Sequence, residues 1–272
     1  LASARKWRTI LRTALKEDQM RANLRQQQIL NIARTEGLVL VDELAQRFDV
    51  TLQTIRRDLG DLDEAGLIER VHGGAVARAG VSNTSYELRK RTGAEGKAAI
   101  GRACARLIPD NSSVILNLGT TTEAVAAALA DHANLTVITN NINVANILMP
   151  NPGCEVIVAG GRLRRSDGGL VGELTTQFFE QFKVDFAIVG CSALDLDGDL
   201  LDFDLSEVRV SRAILNQARQ KFVVADHSKL TRAAPGRIIS LSEVDALFTD
   251  AELPASLAQA CADWGTQVHI CR

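Results

Sequence analysis

Thr54-Ile55-Arg56-Arg57-Asp58-Leu59, followed by Leu62, Gly66-Leu67-Ile68 and Arg70-Val71-His72-Gly73-Gly74-Ala75, is the stretch on which the fold turns. Ile55, Leu59 and Leu62 recur at helical spacing and share one face, leaving Gln53, Thr54, Arg56 and Arg57 on the others. One side packs; the other is free to touch a polyanion. Thr51 is placed to cap this helix and Gly66 to stop it. Leu67 to Arg70 then suits a short strand, His72-Gly73-Gly74 a tight turn, and Ala75 to Ala77 the returning strand of a hairpin.

Upstream, Gln26 to Arg34 carries Ile29, Leu30, Ile32 and Ala33, which suits a first helix, and Val41 to Phe48 supplies a second. The joint Asp49-Val50-Thr51 links that second helix to the arginine-bearing one, the helix-turn-helix arrangement that offers its second helix to the major groove of double-stranded DNA. Thr51, Gln53, Thr54, Arg56, Arg57, Arg70, His72 and Gly73 are the candidate DNA contacts.

The chain has 272 residues, enough for one small and one mid-sized domain. Its 46% hydrophobic and 24% charged residues are those of an ordinary globular protein. A net charge of -2 means that DNA affinity must come from where the arginines stand, not from overall basicity. Cys104, Cys154, Cys191, Cys261 and Cys271 are odd in number and lack metal-ligand spacing, and the four histidines are scattered; a reducing cytoplasm and no metal are expected. No apolar run approaches the ~20 residues that span a bilayer. Residues 1–19 precede Met20, where the folded pattern begins, and are expected to be a non-native or disordered extension, or else a basic arm.

With 20–77 assigned to the winged helix-turn-helix, Arg78 to Ser85 is small and polar and suits a linker, extended to residue 94 ahead of a helix from about Glu95. Residues 95–272 then alternate apolar runs with helical segments. The runs are Ser113 to Leu118, Leu135 to Thr139, Glu155 to Ala159, Val184 to Val189, Lys221 to Ala225, Ala246 to Thr249 and Val268 to Cys271. That pattern predicts an α/β domain with a mainly parallel sheet. In such sheets ligands sit beyond the carboxyl ends of the strands. There the sequence places Gly119, Thr120, Thr121 and Thr122; Asn140 and Asn141; Gly160, Gly161 and Arg162; Gly190, Cys191 and Ser192; and Asp226 to Lys229. Gly119 to Thr122 opens a helix, so backbone N–H groups and threonine hydroxyls can meet a phosphate, with Lys229 as a point charge and Asn140, Asn141 and Asp226 reading hydroxyls. A small phosphorylated polyol or sugar is the expected ligand, and no cofactor is called for. Arg89 and Lys97 suit either phosphate contacts and couplers or a solvated face.

Thr54 to Leu59 with Val71 to Ala75 resembles the N-terminal signature of the DeoR family of bacterial transcriptional regulators. The Gly119 loop and Asp226-His227-Ser228-Lys229 resemble that family's sensor domain, which is related in fold to ribose-5-phosphate isomerases and glucosamine-6-phosphate deaminases. Residues 137–146, Arg165-Ser166-Asp167-Gly168-Gly169, residues 181–186, Leu200-Leu201-Asp202-Phe203-Asp204 and residues 224–229 resemble the members that govern glycerol-3-phosphate use. The resemblance implies a repressor of glycerol-utilisation genes that glycerol-3-phosphate releases from operator DNA, working as a homo-oligomer, dimer or tetramer. Two positions depart from that subgroup: Arg162, which could add a phosphate contact where glutamate is common, and Ser211, where a basic residue is common. The alternatives are a repressor answering another phosphorylated sugar, such as a fructose or tagatose phosphate, and an isomerase using Glu207 near Asp202 and Asp204. The expected role of these carboxylates is instead hydroxyl or cation contacts, with Glu207 in the effector site, or a solvated helix start. An isomerase has no use for a winged helix, so a binding pocket without turnover is expected.

Overall fold

The computed structural model describes residues 24–33, 38–64, 67–71, 73–77 and 86–272. The extension expected at 1–19, the helix stop at Gly66, the DNA contact at His72 and the linker at 78–85 lie outside the described residues. The chain divides after Gly80 into two compact units.

In the first unit, helix α1 covers 24–33. It is followed by β1 Leu38–Leu40, α2 Val41–Phe48, α3 Leu52–Glu64, β2 Ile68–Val71 and β3 Gly74–Ala77. Ile29, Leu30, Leu44, Ile55, Leu59, Leu62 and Ile68 form its core, so the apolar stripe seen in the sequence is the packed face of α3. Asp49 adopts the left-handed conformation (φ 51°) that ends α2, and the Thr54 N–H donates to Thr51 Oγ1 at 3.2 Å to begin α3. Asp58 is buried within α3, where Arg25 of α1 grips it through two guanidinium bonds, the longer 3.2 Å. That pair pins α1 to α3.

The expected hairpin is a three-stranded sheet ordered β1-β3-β2. Gly74 is a strand residue and not part of the turn, because Val71 pairs with Gly74 and Leu40 pairs with Gly74 from the other side. A Cβ there would stand 2.1 Å from the Val39 carbonyl oxygen, so the neighbouring strand requires glycine.

The second unit begins with α4 Tyr86–Arg91, α5 Ala94–Ala105, β4 Ser113–Leu116, α6 Thr120–Ala128, β5 Leu135–Thr139, α7 Ile142–Leu148, β6 Cys154–Val158, β7 Arg162–Arg164, β8 Gly169–Val171 and α8 Glu173–Phe179. It continues with β9 Val184–Val189, β10 Ala193–Leu194, β11 Asp199–Asp202, α9 Leu205–Asn216, β12 Ala218–Val224, β13 Gly236–Ser240, β14 Ala246–Thr249, α10 Ala255–Trp264 and β15 Gln267–Ile270. The linker expectation reached too far, since α4 occupies part of it: Tyr86 and Arg89 fall one helical turn apart and share a face.

Seven strands form one sheet in the order β15-β14-β12-β9-β4-β5-β6, and every neighbouring pair is parallel. Val114, Leu116, Ile188 and Phe222 face α5, α6 and α7; Ile115, Ala187, Val189 and Val223 face α9 and α10. Both faces are covered, which is why these strands are continuous apolar runs. The chain leaves β4 toward β5 on one side and returns beside β4 as β9 on the other. The gap beyond the carboxyl ends of β4 and β9 is therefore the place where the order of winding reverses and crossovers diverge.

Candidate functional site

On α3, Gln53, Arg56 and Arg57 are exposed and Thr54 is half-buried; Thr51, Arg70 and Gly73 are also exposed. Arg56 and Arg57 lie in the first half of the helix, while Asp61 and Glu64 lie in the last turn. Cationic groups and the positive end of the helix dipole thus coincide, the arrangement that suits the N-terminal half of a recognition helix entering a groove between phosphates.

The second candidate site is a cleft at the reversal point of the large sheet. Asn117, Leu118 and Gly119 to Glu123 line it from the end of β4, Gly190, Cys191 and Ser192 from the end of β9, and Lys229 from beyond β12. Gly119 has φ 136° and ψ 153°, a backbone conformation that side chains resist. This turn brings the chain directly into α6, whose first N–H groups have no acceptor within the helix. Thr122 Oγ1 donates to the Asn117 and Gly119 carbonyls at 2.9 and 2.7 Å, fixing the turn.

Lys229 is 8% exposed and makes no ion pair within 4.0 Å among the described residues. Burial lowers its pKa, opposed by Asp226. Asp226 accepts from the Ser228 N–H at 3.1 Å and so holds the turn that presents Lys229. Its carboxyl is kept below the usual range: burial pushes it up, but Lys229, Ser228 and Lys97 outweigh that push.

The opposite side of the cleft is acidic. Asp202 accepts from Ser192 Oγ at 2.9 Å, and Glu207 is ion-paired to Arg164, which also holds Asp167 at 2.6 Å and Asp204 at 3.1 Å. Burial, reinforced by Asp202 and opposed by Arg164, pushes the Glu207 carboxyl up to about 7. Asn117 Nδ2 donates to Ser211 Oγ at 2.8 Å, so the serine that departs from its subgroup lies on the cleft wall. The cleft thus carries cationic and hydrogen-bond-donating groups together with carboxylate acceptors.

Of the residues chosen from sequence, Gly119, Thr120, Thr121, Thr122, Gly190, Glu207 and Lys229 come together here. Asn140, Asn141 and Asp226 stand behind the wall. Asn140 donates to the Leu170 carbonyl at 3.2 Å; Asn141 caps α7 through the Asn143 N–H at 2.9 Å and donates to Glu123 at 3.3 Å. Gly160, Gly161 and Arg162 do not line the cleft. The Gly160 carbonyl accepts from Thr175 of α8 at 2.8 Å, a Cβ on Gly161 would stand 2.2 Å from that hydroxyl, and Arg162 is exposed on β7. The extra phosphate contact expected from Arg162 is corrected accordingly.

Sequence reasoning missed Tyr86, Asn117 and Asp167 as site residues, while Cys191 and Ser192 line the cleft with Gly190 and Arg89 joins it from α4. Tyr86 donates to Glu123 Oε2 at 2.9 Å. The available signals were the helical spacing of Tyr86 and Arg89 and the position of Asn117 just beyond a strand end.

Both units of the chain resemble known proteins. Residues 25–79 match the DeoR-like helix-turn-helix domain and residues 92–251 the DeoR C terminal sensor domain. The chain is 45% identical to the glycerol-3-phosphate regulon repressor of Escherichia coli (strain K12), covering 93% of this chain and 100% of that one. It is 43% identical to the glycerol-3-phosphate regulon repressor of Haemophilus influenzae (strain ATCC 51907 / DSM 11121 / KW20 / Rd), covering 93% and 98%. Ribose 5-phosphate isomerase A from Methanocaldococcus jannaschii is a distant structural neighbour, 14% identical with a TM-score of 0.38 over 51% of this chain and 55% of its own. With both its helix-turn-helix and its sensor unit matched, the chain belongs to the DeoR family.

Proposed function

We propose that this protein is an operator-binding transcriptional repressor of glycerol-3-phosphate utilisation genes, released when glycerol-3-phosphate enters the sensor cleft. The names of its two repressor relatives support the regulon, and the exposed arginines of α3 support the DNA contact. The observation that carries the ligand class is that buried, unpaired Lys229 shares a cleft with the open end of α6. A phosphate there gains N–H donors and a cation at once, while Asp202, Asn117 and Ser211 accept and donate at the glycerol hydroxyls.

The cleft binds without turnover: Glu207, the carboxylate that an isomerase would need as a base, is tied to Arg164. The protein acts in the cytoplasm as a homo-oligomer, dimer or tetramer, so that paired α3 helices meet half-sites about one helical turn apart. None of the described helices is long and apolar enough to cross a membrane.

Thermal-shift screening of the full chain against glycerol-3-phosphate, fructose phosphates and tagatose phosphates tests the ligand, because a specific ligand raises apparent stability by mass action. Glycerol-3-phosphate is expected to give the largest shift. A larger shift with a hexose phosphate reassigns the effector, and interconversion of any sugar phosphate by the protein overturns the binding-only reading.

A further inference from the structure

Arg89 is held in the cleft without a satisfactory partner. Its nearest carboxylate is Asp167, at 3.7 Å, and that carboxylate is already taken by Arg164, which donates to both of its oxygens at 2.9 and 2.6 Å. Arg89 Nε is sealed from solvent with no acceptor in reach among the described residues. A buried N–H without an acceptor costs stability, so such a group persists where something outside the chain completes it. Lys229, also buried and without an ion pair within 4.0 Å among the described residues, lines the same cleft, as do the first residues of α6. Three donor sets therefore line one cleft, and the carboxylate nearest Arg89 is already engaged by Arg164.

The backbone carrying Arg89 is α4, the first described element after residues 78–85. Its C-terminal carbonyls are held by one ammonium: Lys97 Nζ donates to the Arg89 carbonyl and, at 2.6 Å, to that of Thr92. The same ammonium stands 4.0 Å from Asp226 Oδ2, on the residue that sets the turn presenting Lys229. Lys97 thus links the backbones that carry the two cleft cations.

We propose that Arg89 closes on the effector's phosphate and that α4 is thereby the element through which the effector acts on the chain leading from the DNA-binding unit. The proposal rests on the reading of the cleft given above and deepens it. Arg89 supplies a planar fork that takes two phosphate oxygens, which a lysine cannot reproduce. Ligand binding draws Arg89 away from Asp167 and fixes the orientation of α4, and Lys97 makes that orientation depend on the Lys229 turn.

The test uses the full chain, with glycerol-3-phosphate as probe, read by calorimetric titration and by operator binding in fluorescence anisotropy with and without the ligand. Arg89→Gln is expected to weaken ligand binding by roughly tenfold or more and Arg89→Lys by less, since it keeps the charge and loses only the fork. Lys97→Met, compared with the parent at saturating ligand so that any loss of ligand affinity is taken out, is expected to reduce the factor by which ligand weakens operator binding. Thermal melts of the ligand-free variants show whether each is folded; Arg89→Lys carries the test should Arg89→Gln fail to fold. Ligand affinity in Arg89→Gln or Arg89→Lys equal to the parent's overturns the closing role. A Lys97→Met protein with undiminished coupling overturns the role of α4. A parent protein that binds no glycerol-3-phosphate overturns the functional reading beneath both.

Discussion

Arg56 and Arg57 stand exposed along α3 and make no ion pair among the described residues, whereas Lys229 is 8% exposed and Arg89 has its Nε sealed in the cleft. Solvated guanidiniums are inexpensive to maintain and meet a polyanion through screened, additive contacts, so the first unit gains affinity by number and placement. Buried cations carry a desolvation cost that only an acceptor in the right position offsets, so the second unit gains selectivity. One chain therefore holds a salt-sensitive reader of DNA and a shape-sensitive reader of a small anion.

The largest expected effect comes from the buried Arg25–Asp58 charge pair of the first unit. Asp58→Ala leaves Arg25 without its bidentate partner and should destabilise that unit by roughly 2–4 kcal/mol, somewhat below a fully buried pair because the Arg25 side chain is 18% exposed. Chemical denaturation followed by operator binding checks this. An unchanged midpoint would show that the pair is not what joins α1 to α3.

Next comes a crossed pair of substitutions. Arg57→Ala should cost about 1–3 kcal/mol of operator binding and leave glycerol-3-phosphate titrations as they were. Lys229→Ala should do the reverse, blunting induction while operator binding and the melting temperature of the ligand-free protein are retained. Salt sharpens the contrast: each α3 arginine that meets a phosphate contributes about one to the slope of log affinity against log salt, and the buried cleft should respond far less. Equal salt slopes for the two ligands would erase the distinction between the units.

Smaller effects follow from local groups. Thr51→Ala removes the cap on α3 and should cost ~1 kcal/mol, read as a lowered denaturation midpoint. Glu207, raised to about 7 by burial ahead of Asp202, holds its proton in the folded state at pH values where the unfolded chain has lost it. Its contribution to stability is thus present below about pH 4.5 and lost as pH rises through 7. Glu207→Gln should flatten that fall; an unaltered pH profile would assign it to another group.

Much of the fold was legible because burial leaves marks in sequence. All seven strands of the large sheet were found, since strands covered on both faces are apolar runs bounded by Gly, Asn and Asp. The β7–β8 hairpin and the β10-β11-β13 sheet left weaker marks, being short and partly exposed like Leu163 and Arg237. β1 is three residues long and carries no turn signal; only the glycine at 74 records its presence. In the site, the loops at the reversal point could be read from strand ends, but Arg89, Asp167 and Asp202 reach the cleft through tertiary contacts that spacing does not encode. Arg162 failed for the converse reason: a strand end attracts attention, yet β6 is the last strand of the sheet and its exit lies away from the reversal point.

The linkage between cleft and operator is addressed by a single titration: operator affinity of the protein measured with and without saturating glycerol-3-phosphate. Release is predicted, with affinity lowered at least about tenfold, equivalent to ~1.4 kcal/mol of coupling, and with the shift absent in Lys229→Ala. Operator affinity that stays the same in the presence of bound glycerol-3-phosphate would contradict it.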